Sequence, residues 1–182
     1  MTIVKLNIAV IGVKGSDKND LSRIYINGFS HQIDAQTIST REIQLFGHDV
    51  ILNIIDLEIT NLTAENLKSI QGIILVFDID KPESFEELKK LFTKNKSSIG
   101  NKIVVAIAAN KGHLRSSENT GTFVPVEQYK QIESEFNCTV FETSTETGEN
   151  VENIFNFVAE NILRREHLDK DNVEDIKECF IE

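Results

Sequence analysis

Four short runs of nearly continuous apolar or β-branched residues recur along the chain, at residues 3–11, 72–78, 102–109 and 139–143. Strands that are buried on both faces, as in a parallel sheet, have this pattern. We therefore predict four buried strands of one mostly parallel sheet.

Amphipathic helical patterns follow these strands. Residues 82–96 begin with Pro and acidic residues and place one apolar stripe at helical spacing, made of Phe85, Leu88, Leu91 and Phe92. Residues 125–136 and 151–165 have the same periodicity. Strands that alternate with helices predict an α/β fold with helices on both faces of the sheet.

Residues 36–56 break this alternation. Two runs of alternating apolar residues meet near Gly47, which predicts a β-hairpin with one antiparallel edge strand. The full prediction is three layers, with a six-stranded, mostly parallel sheet and about five helices. Ligands of such folds bind beyond the carboxyl ends of the strands.

The segment GVKGSDKN follows the first strand and has the outline of a phosphate-binding loop, G-x-x-x-x-G-K-[ST]. Gly12 and Lys18 are in place, and Gly15 and Ser16 lie between them. Asp17 replaces the second Gly, and Asn19 replaces the hydroxyl residue that would hold Mg²⁺. An unpaired like charge about 4 Å from a phosphate costs on the order of 4 kcal/mol at an effective dielectric of 20. We therefore expect weak phosphate binding.

Composition narrows the classes of partner. The chain has 182 residues, and 29 acidic residues against 19 basic ones give it a net charge of −10. This charge argues against nucleic acid as a partner and favours proteins or small molecules.

We predict one domain at residues 1–166 and a tail at 167–182. No apolar run is long enough for a transmembrane segment, and two cysteines are too few for a disulfide framework, which favours the cytoplasm.

Further motifs at strand ends support a family resemblance. Asp56-Leu57-Glu58, Asn110-Lys111-Gly112-His113 and Ser144-Thr145-Glu146 occur in the right order after predicted strands. With GIILVFDIDKPESFEEL and ETSTETGENVENIFNFV, they resemble the Rab branch of the Ras-like small GTPases over residues 3–165. The resemblance implies the P-loop NTPase fold and, if binding is retained, GTP or GDP with Mg²⁺.

The same resemblance implies that catalysis is lost. Asp56 matches the family's metal-holding Asp, with Asn19 as its partner, although a strand-end structural role for Asp56 is equally expected. The D-T-A-G-Q positions that sense the γ-phosphate and orient water correspond to Ile59 and Thr60. The first-switch Thr aligns with Ile33. We therefore assign no catalytic residue.

Base recognition is altered as well. Asn110 and Lys111 keep the N-K-x-D pattern, but His113 replaces the Asp that accepts two hydrogen bonds from guanine. This loss would lower affinity by roughly two to four decades. In the S-A-K motif, Ser144 is kept, Thr145 replaces Ala, and Glu146 replaces Lys. We expect His113 to be an exposed loop residue rather than a base contact.

The remaining candidates are single residues. Phe29 is either a base-stacking residue or part of the core, and we expect Cys138 to pack as a small hydrophobe. Cys179-Phe180-Ile181-Glu182 has the form of a prenylation box, but Glu182 is a poor last residue, and the tail also fits a short amphipathic helix. Lipidation of Cys179 would make the protein a peripheral membrane protein.

Three interpretations remain open. The first is a pseudo-GTPase that binds protein effectors or regulators through residues 36–70 in vesicle trafficking or signalling, in the cytoplasm or on the cytosolic face of endomembranes. The second is a divergent GTP-binding trafficking regulator with slow or absent hydrolysis. In the third, Lys18 and Lys111 anchor an anion and His113 selects another base.

Overall fold

The computed structural model describes residues 3–13, 16–28, 38–58, 62–115 and 121–171. Within these ranges the strands are β1 (Ile3–Gly12), β2 (Ile38–Leu45), β3 (His48–Glu58), β4 (Gly72–Asp78), β5 (Val104–Asn110) and β6 (Thr139–Glu142). The helices are α1 (Lys18–Asn27), α2 (Ala64–Leu67), α3 (Pro82–Ile99), α4 (Glu127–Phe136) and α5 (Val151–Asp171). A 3-10 turn covers Gly112–Leu114.

The strands form one sheet in the order β2-β3-β1-β4-β5-β6. The β2–β3 pair is antiparallel, and every other neighbouring pair is parallel. The hairpin turns at Phe46 and Gly47, whose φ angles of 50° and 77° suit a tight turn between twisted strands. The predicted six-stranded α/β sheet with one antiparallel edge is therefore confirmed.

Two apolar cores lie on opposite faces of the sheet because side chains alternate along each strand. In β1, Leu6, Ile8 and Val10 pack with residues of α1 and α5. Ala9 and Ile11 point to the other face and join residues of α2, α3 and α4. The carboxyl ends of the parallel strands meet at one edge, where the loops with the predicted site residues begin.

Element bounds differ from prediction mainly at helix ends. Helix α3 continues to Ile99, α4 begins at Glu127 rather than Pro125, and α5 continues to Asp171. The predicted boundary between domain and tail at residue 166 thus falls inside α5. Buried Ile99 extends the apolar stripe of α3 beyond the predicted end. The predicted tail helix and Cys179 lie outside the described residues.

Candidate functional site

The loop after β1 turns tightly at Gly12. A Cβ atom at this position would meet the Ser16 hydroxyl and lie 2.8 Å from the Lys18 Cβ. The Ser16 amide donates to the Val13 carbonyl at 3.0 Å, and the Val13 amide donates to Val76 in β4 at 3.3 Å. Only Gly leaves room for this fold-back. Gly15 lies outside the described residues.

Asp17 ends this loop at the start of α1. Its carbonyl accepts the amides of Asp20 and Leu21, but its side chain makes no capping hydrogen bond. The carboxylate instead lies 3.9 Å from the Lys111 ammonium. Burial and the nearby Asp78 charge raise the pKa of Asp17, while Lys111 opposes them. The acid in the loop thus contacts a cation from the loop after β5.

Lys111 lies among three carboxylates. Its Nζ is 3.1 Å from Asp78 Oδ2 and 3.5 Å from Asp80 Oδ1, in addition to Asp17. Lys81 also contacts Asp78 Oδ2, at 3.0 Å. Burial alone would lower the pKa of Lys111, but the hydrogen bond and charge of Asp78, together with Asp80 and Asp17, raise it. We call these five residues the carboxylate–lysine cluster.

The sequence analysis missed Asp78 and Asp80, although both directly follow a buried strand. Asp78 is fully buried, and its Oδ1 has no hydrogen-bond partner within the described part of the chain. Two acids at the carboxyl end of a parallel strand are a recognisable signal for a site residue.

Lys18 and Asp56 lie at the centre of the predicted site. Lys18 is 8% exposed and donates from Nζ to the Leu57 carbonyl at 3.2 Å. Asp56 Oδ1 accepts a hydrogen bond of 2.7 Å from Ser22, a partner that the sequence analysis missed. Lys18 and Asp56 are therefore both tied to the contact between α1 and the end of β3, Lys18 through the Leu57 carbonyl and Asp56 through Ser22.

The residues fit Mg²⁺ only in combination with phosphate. Asn19 is exposed, and Asp56 is the one carboxylate that the prediction offers as a ligand. Within the described ranges, no group of three or more His, Cys, Asp or Glu could hold a metal ion. Mg²⁺ is often bound by one or two carboxylates together with substrate phosphates and water. Asp56 and Asn19 would hold the ion only in that way.

Asn110 joins the two loops of the predicted base site. It is fully buried, and its Oδ1 accepts the Thr145 amide at 3.2 Å. Its Nδ2 donates to Thr145 Oγ1 at 3.3 Å, and the Gly112 amide donates to the Thr143 carbonyl at 2.8 Å. The predicted residues of the loops after β5 and β6 are therefore adjacent.

The exposure of the His113 side chain is lower than the sequence predicts. This side chain is only 20% exposed, with Nδ1 at 2.8 Å from Ser144 Oγ and Nε2 at 2.9 Å from Glu146 Oε2. The prediction of a freely exposed loop residue is wrong because both nitrogens have partners on the neighbouring loop. Ser144 is fully buried, so this Ser-His-Glu arrangement does not present a nucleophile to solvent.

Hydrogen bonds of Arg115 and Tyr129 hold the end of the loop after β5 in place. Arg115 Nε donates to Glu142 at 2.8 Å, and a second guanidinium nitrogen donates to the Val124 carbonyl at 2.8 Å. The Tyr129 hydroxyl donates to the same Glu142 carboxylate at 3.0 Å. Arg115 and Tyr129 were not predicted, because a single Arg and a single helical Tyr carry no motif signal.

Phe29, Ile33, Ile59, Thr60 and Cys179 lie outside the described residues. Of the predicted partner surface at 36–70, the structure describes residues 38–58 and 62–70.

In the described part of this surface, Arg41 of β2 donates to the Tyr25 carbonyl at 2.7 Å and pairs with Glu152 of α5 at 2.8 Å. Phe46 at the hairpin turn is 55% exposed. None of the described helices is long and apolar enough to cross a membrane.

Comparisons with known proteins agree with this geometry. The sequence model of the Ras family matches residues 7–164. The chain is 30% identical over 164 residues to "Ras-related protein Rab-4B" of Homo sapiens, covering 86% of this chain and 75% of that protein. It is 26% identical over 129 residues to "Ras-related protein RABE1d" of Arabidopsis thaliana, covering 69% of this chain and 58% of the relative.

Proposed function

Because this chain belongs to the Ras family and is similar to Rab-related proteins, we propose that it is a protein-interaction module in vesicle trafficking or signalling that does not cycle by GTP hydrolysis. The observation that carries the proposal is the contact between Asp17 and Lys111. Support for an altered nucleotide site comes from the charge balance around this contact.

The carboxylate–lysine cluster contains three acids and two lysines, so its formal charge is 2 − 3 = −1. A phosphate that approaches the loop meets the Asp17 carboxylate, which is 41% exposed. One like charge at about 4 Å costs about 1 kcal/mol in water and about 4 kcal/mol at an effective dielectric of 20. Affinity for di- and triphosphates would fall by roughly fivefold to a thousandfold.

Hydrolysis depends on groups that the sequence does not supply. Ile59 and Thr60 stand at the positions from which the family senses the γ-phosphate and orients water. Thr60, at the position that orients water, lacks the side-chain amide of Gln. We therefore infer that any bound GTP would persist rather than drive a conformational cycle.

The proposed partner surface is residues 36–70, for binding protein effectors or regulators. In its described part, β2 is the edge strand of the sheet, Phe46 is exposed, and Arg41 links the hairpin to α1 and α5. An edge strand and an exposed aromatic side chain suit protein contact. The proposed location is the cytoplasm, including the cytosolic face of endomembranes if Cys179 is lipidated.

A second candidate function is a GTP-binding regulator with slow or absent hydrolysis. Lys18 favours it, because it keeps its place in the motif and lies buried against the turn at Gly12. The two candidates differ in whether guanine nucleotide stays bound through purification.

The ultraviolet spectrum of the purified protein tests this difference. The chain has no Trp and two Tyr, so a bound nucleotide would dominate absorbance near 260 nm. We expect a bare protein and no GTP turnover in Mg²⁺. Stoichiometric GDP or GTP after denaturation and chromatography would instead establish the second candidate. Asp17→Gly, purified in parallel, is the matched variant and should retain more nucleotide.

A further inference from the structure

The Glu146 carboxylate fixes the direction in which His113 Nε2 donates, because a carboxylate only accepts hydrogen bonds and lies 2.9 Å from this nitrogen. Ser144 Oγ accepts the Thr147 amide at 3.0 Å and contacts His113 Nδ1 at 2.8 Å. The Ser144 hydroxyl is fully buried and has one proton, which it can donate to Nδ1. A neutral imidazole then carries its own proton on Nε2, which lies 2.9 Å from the Glu146 carboxylate.

This arrangement reverses the hydrogen-bond polarity of the position. An Asp at position 113 would offer only acceptors, whereas His113 in this tautomer offers an N–H donor. Glu146, whose side chain is 75% exposed, places an acceptor directly beside that donor. The loop therefore presents an adjacent donor and acceptor, which currently satisfy each other.

We propose that the base end of this site selects a nucleobase with a ring-nitrogen acceptor beside an exocyclic amine, the edge shared by adenine and cytosine, over guanine. His113 Nε2 would donate to the ring nitrogen, and Glu146 would accept from the amine. This inference rests on the proposed function, because it concerns the same altered nucleotide site.

Guanine is disfavoured by the same contacts. Its ring N–H would face the His113 Nε2–H, donor against donor, and only its amine could donate to Glu146. Guanine would therefore make one hydrogen bond fewer than adenine or cytosine, which lowers its affinity by roughly twofold to tenfold. The Thr145 amide would not replace the contact that guanine loses at His113, because this amide already donates its hydrogen bond to Asn110 Oδ1.

The phosphate end should add little to the binding of the preferred base. Lys111 already lies within 4 Å of three carboxylates, and Asp17 repels an entering phosphate. We therefore expect adenosine and ADP to bind within a few fold of one another. A large gain from the phosphates would contradict the charge argument rather than the base preference.

Calorimetric titration of the full chain with ADP, CDP, GDP and adenosine tests the selectivity. We expect ADP or CDP to bind roughly twofold to tenfold more tightly than GDP, and the tighter of the two ligands shows whether the site prefers a purine or a pyrimidine. Equal or tighter binding of GDP overturns the inference. So does the absence of ADP and CDP binding at about 1 mM, while the proposed function would survive that result.

Histidine nitrogen NMR provides a test that needs no variant. The Nε2–H tautomer of His113 is expected in the ligand-free protein, with a change in the Nε2 signal when ADP or CDP is added. A Nδ1–H tautomer would overturn the inference, because the donor would then face Ser144.

A charge-matched exchange completes the design. His113→Asp with Glu146→Lys should reverse the preference towards GDP, because a carboxylate would then face the two guanine donors. His113→Asp with Glu87→Lys, at an exposed position on α3, has the same net charge, but it keeps the Glu146 carboxylate beside the new Asp. It should therefore favour GDP less than the full exchange does, which isolates the contribution of position 146. A variant that keeps its unfolding temperature but shows no reversal would count against the assignment.

Discussion

Replacing Lys111 with Met should destabilise the fold by leaving a buried carboxylate with fewer partners. Asp78 is fully buried, whereas the Lys111 side chain is 19% exposed and lies 3.1 Å away. Two unit charges at about 3 Å interact by about 5 kcal/mol at an effective dielectric of 20. Removing one partner of a buried pair costs about 3–5 kcal/mol. Because Lys81 still contacts Asp78, we expect the lower end, about 3 kcal/mol.

Urea unfolding at pH 7 measures this loss. Met keeps the apolar stem of Lys, and both residues bear the same strain at a φ of 67°, so the comparison isolates the ammonium. Lys94→Met, at an exposed position on α3, is the control for losing a cation and should change stability by less than about 1 kcal/mol. Adding Asp78→Asn to Lys111→Met should recover part of the loss. A Lys111→Met protein within about 1 kcal/mol of the parent would refute the reasoning.

Since burial and Asp78 raise the pKa of Asp17 in the folded state, its ionisation destabilises the fold above pH 3.8. Asp17→Asn should therefore be more stable than the parent at pH 7, with an advantage in urea unfolding that disappears as the pH falls through the raised pKa and below 3.8. Burial raises the pKa of the Cys138 thiol to about 12, so mass spectrometry should find Cys138 unmodified by iodoacetamide at about pH 8 until urea is added. Gly72→Ala should cost about 1–3 kcal/mol in thermal or urea unfolding, because the new Cβ would lie 3.0 Å from Ile162 Cδ1 in α5 and closer still to Val158.

The sequence predicted the sheet well because its signal is local. Strand β4 is buried at every position, and a continuous apolar run directly encodes such a strand. Motif spacing also placed Asn110 and Ser144 on adjacent loops. Side-chain partnerships across the sheet were not predictable, because Asp78 and Lys111 are far apart in sequence and come together only through the pairing of β4 with β5. The same limit explains why His113 was expected to be exposed.

The two acids that disrupt the family motifs have parallel roles in the structure. Asp17 stands where Gly is expected and contacts Lys111, and Glu146 stands where Lys is expected and contacts His113. Each new carboxylate is therefore matched with a basic group on another loop, which reduces the cost of placing it there. Random loss of function would leave unpaired charges in the site, and these cost free energy unless they are exposed. The pairing gives the site a different set of donors and acceptors from the family's motifs, which is the arrangement that the proposed function, with weak or no guanine-nucleotide binding, predicts.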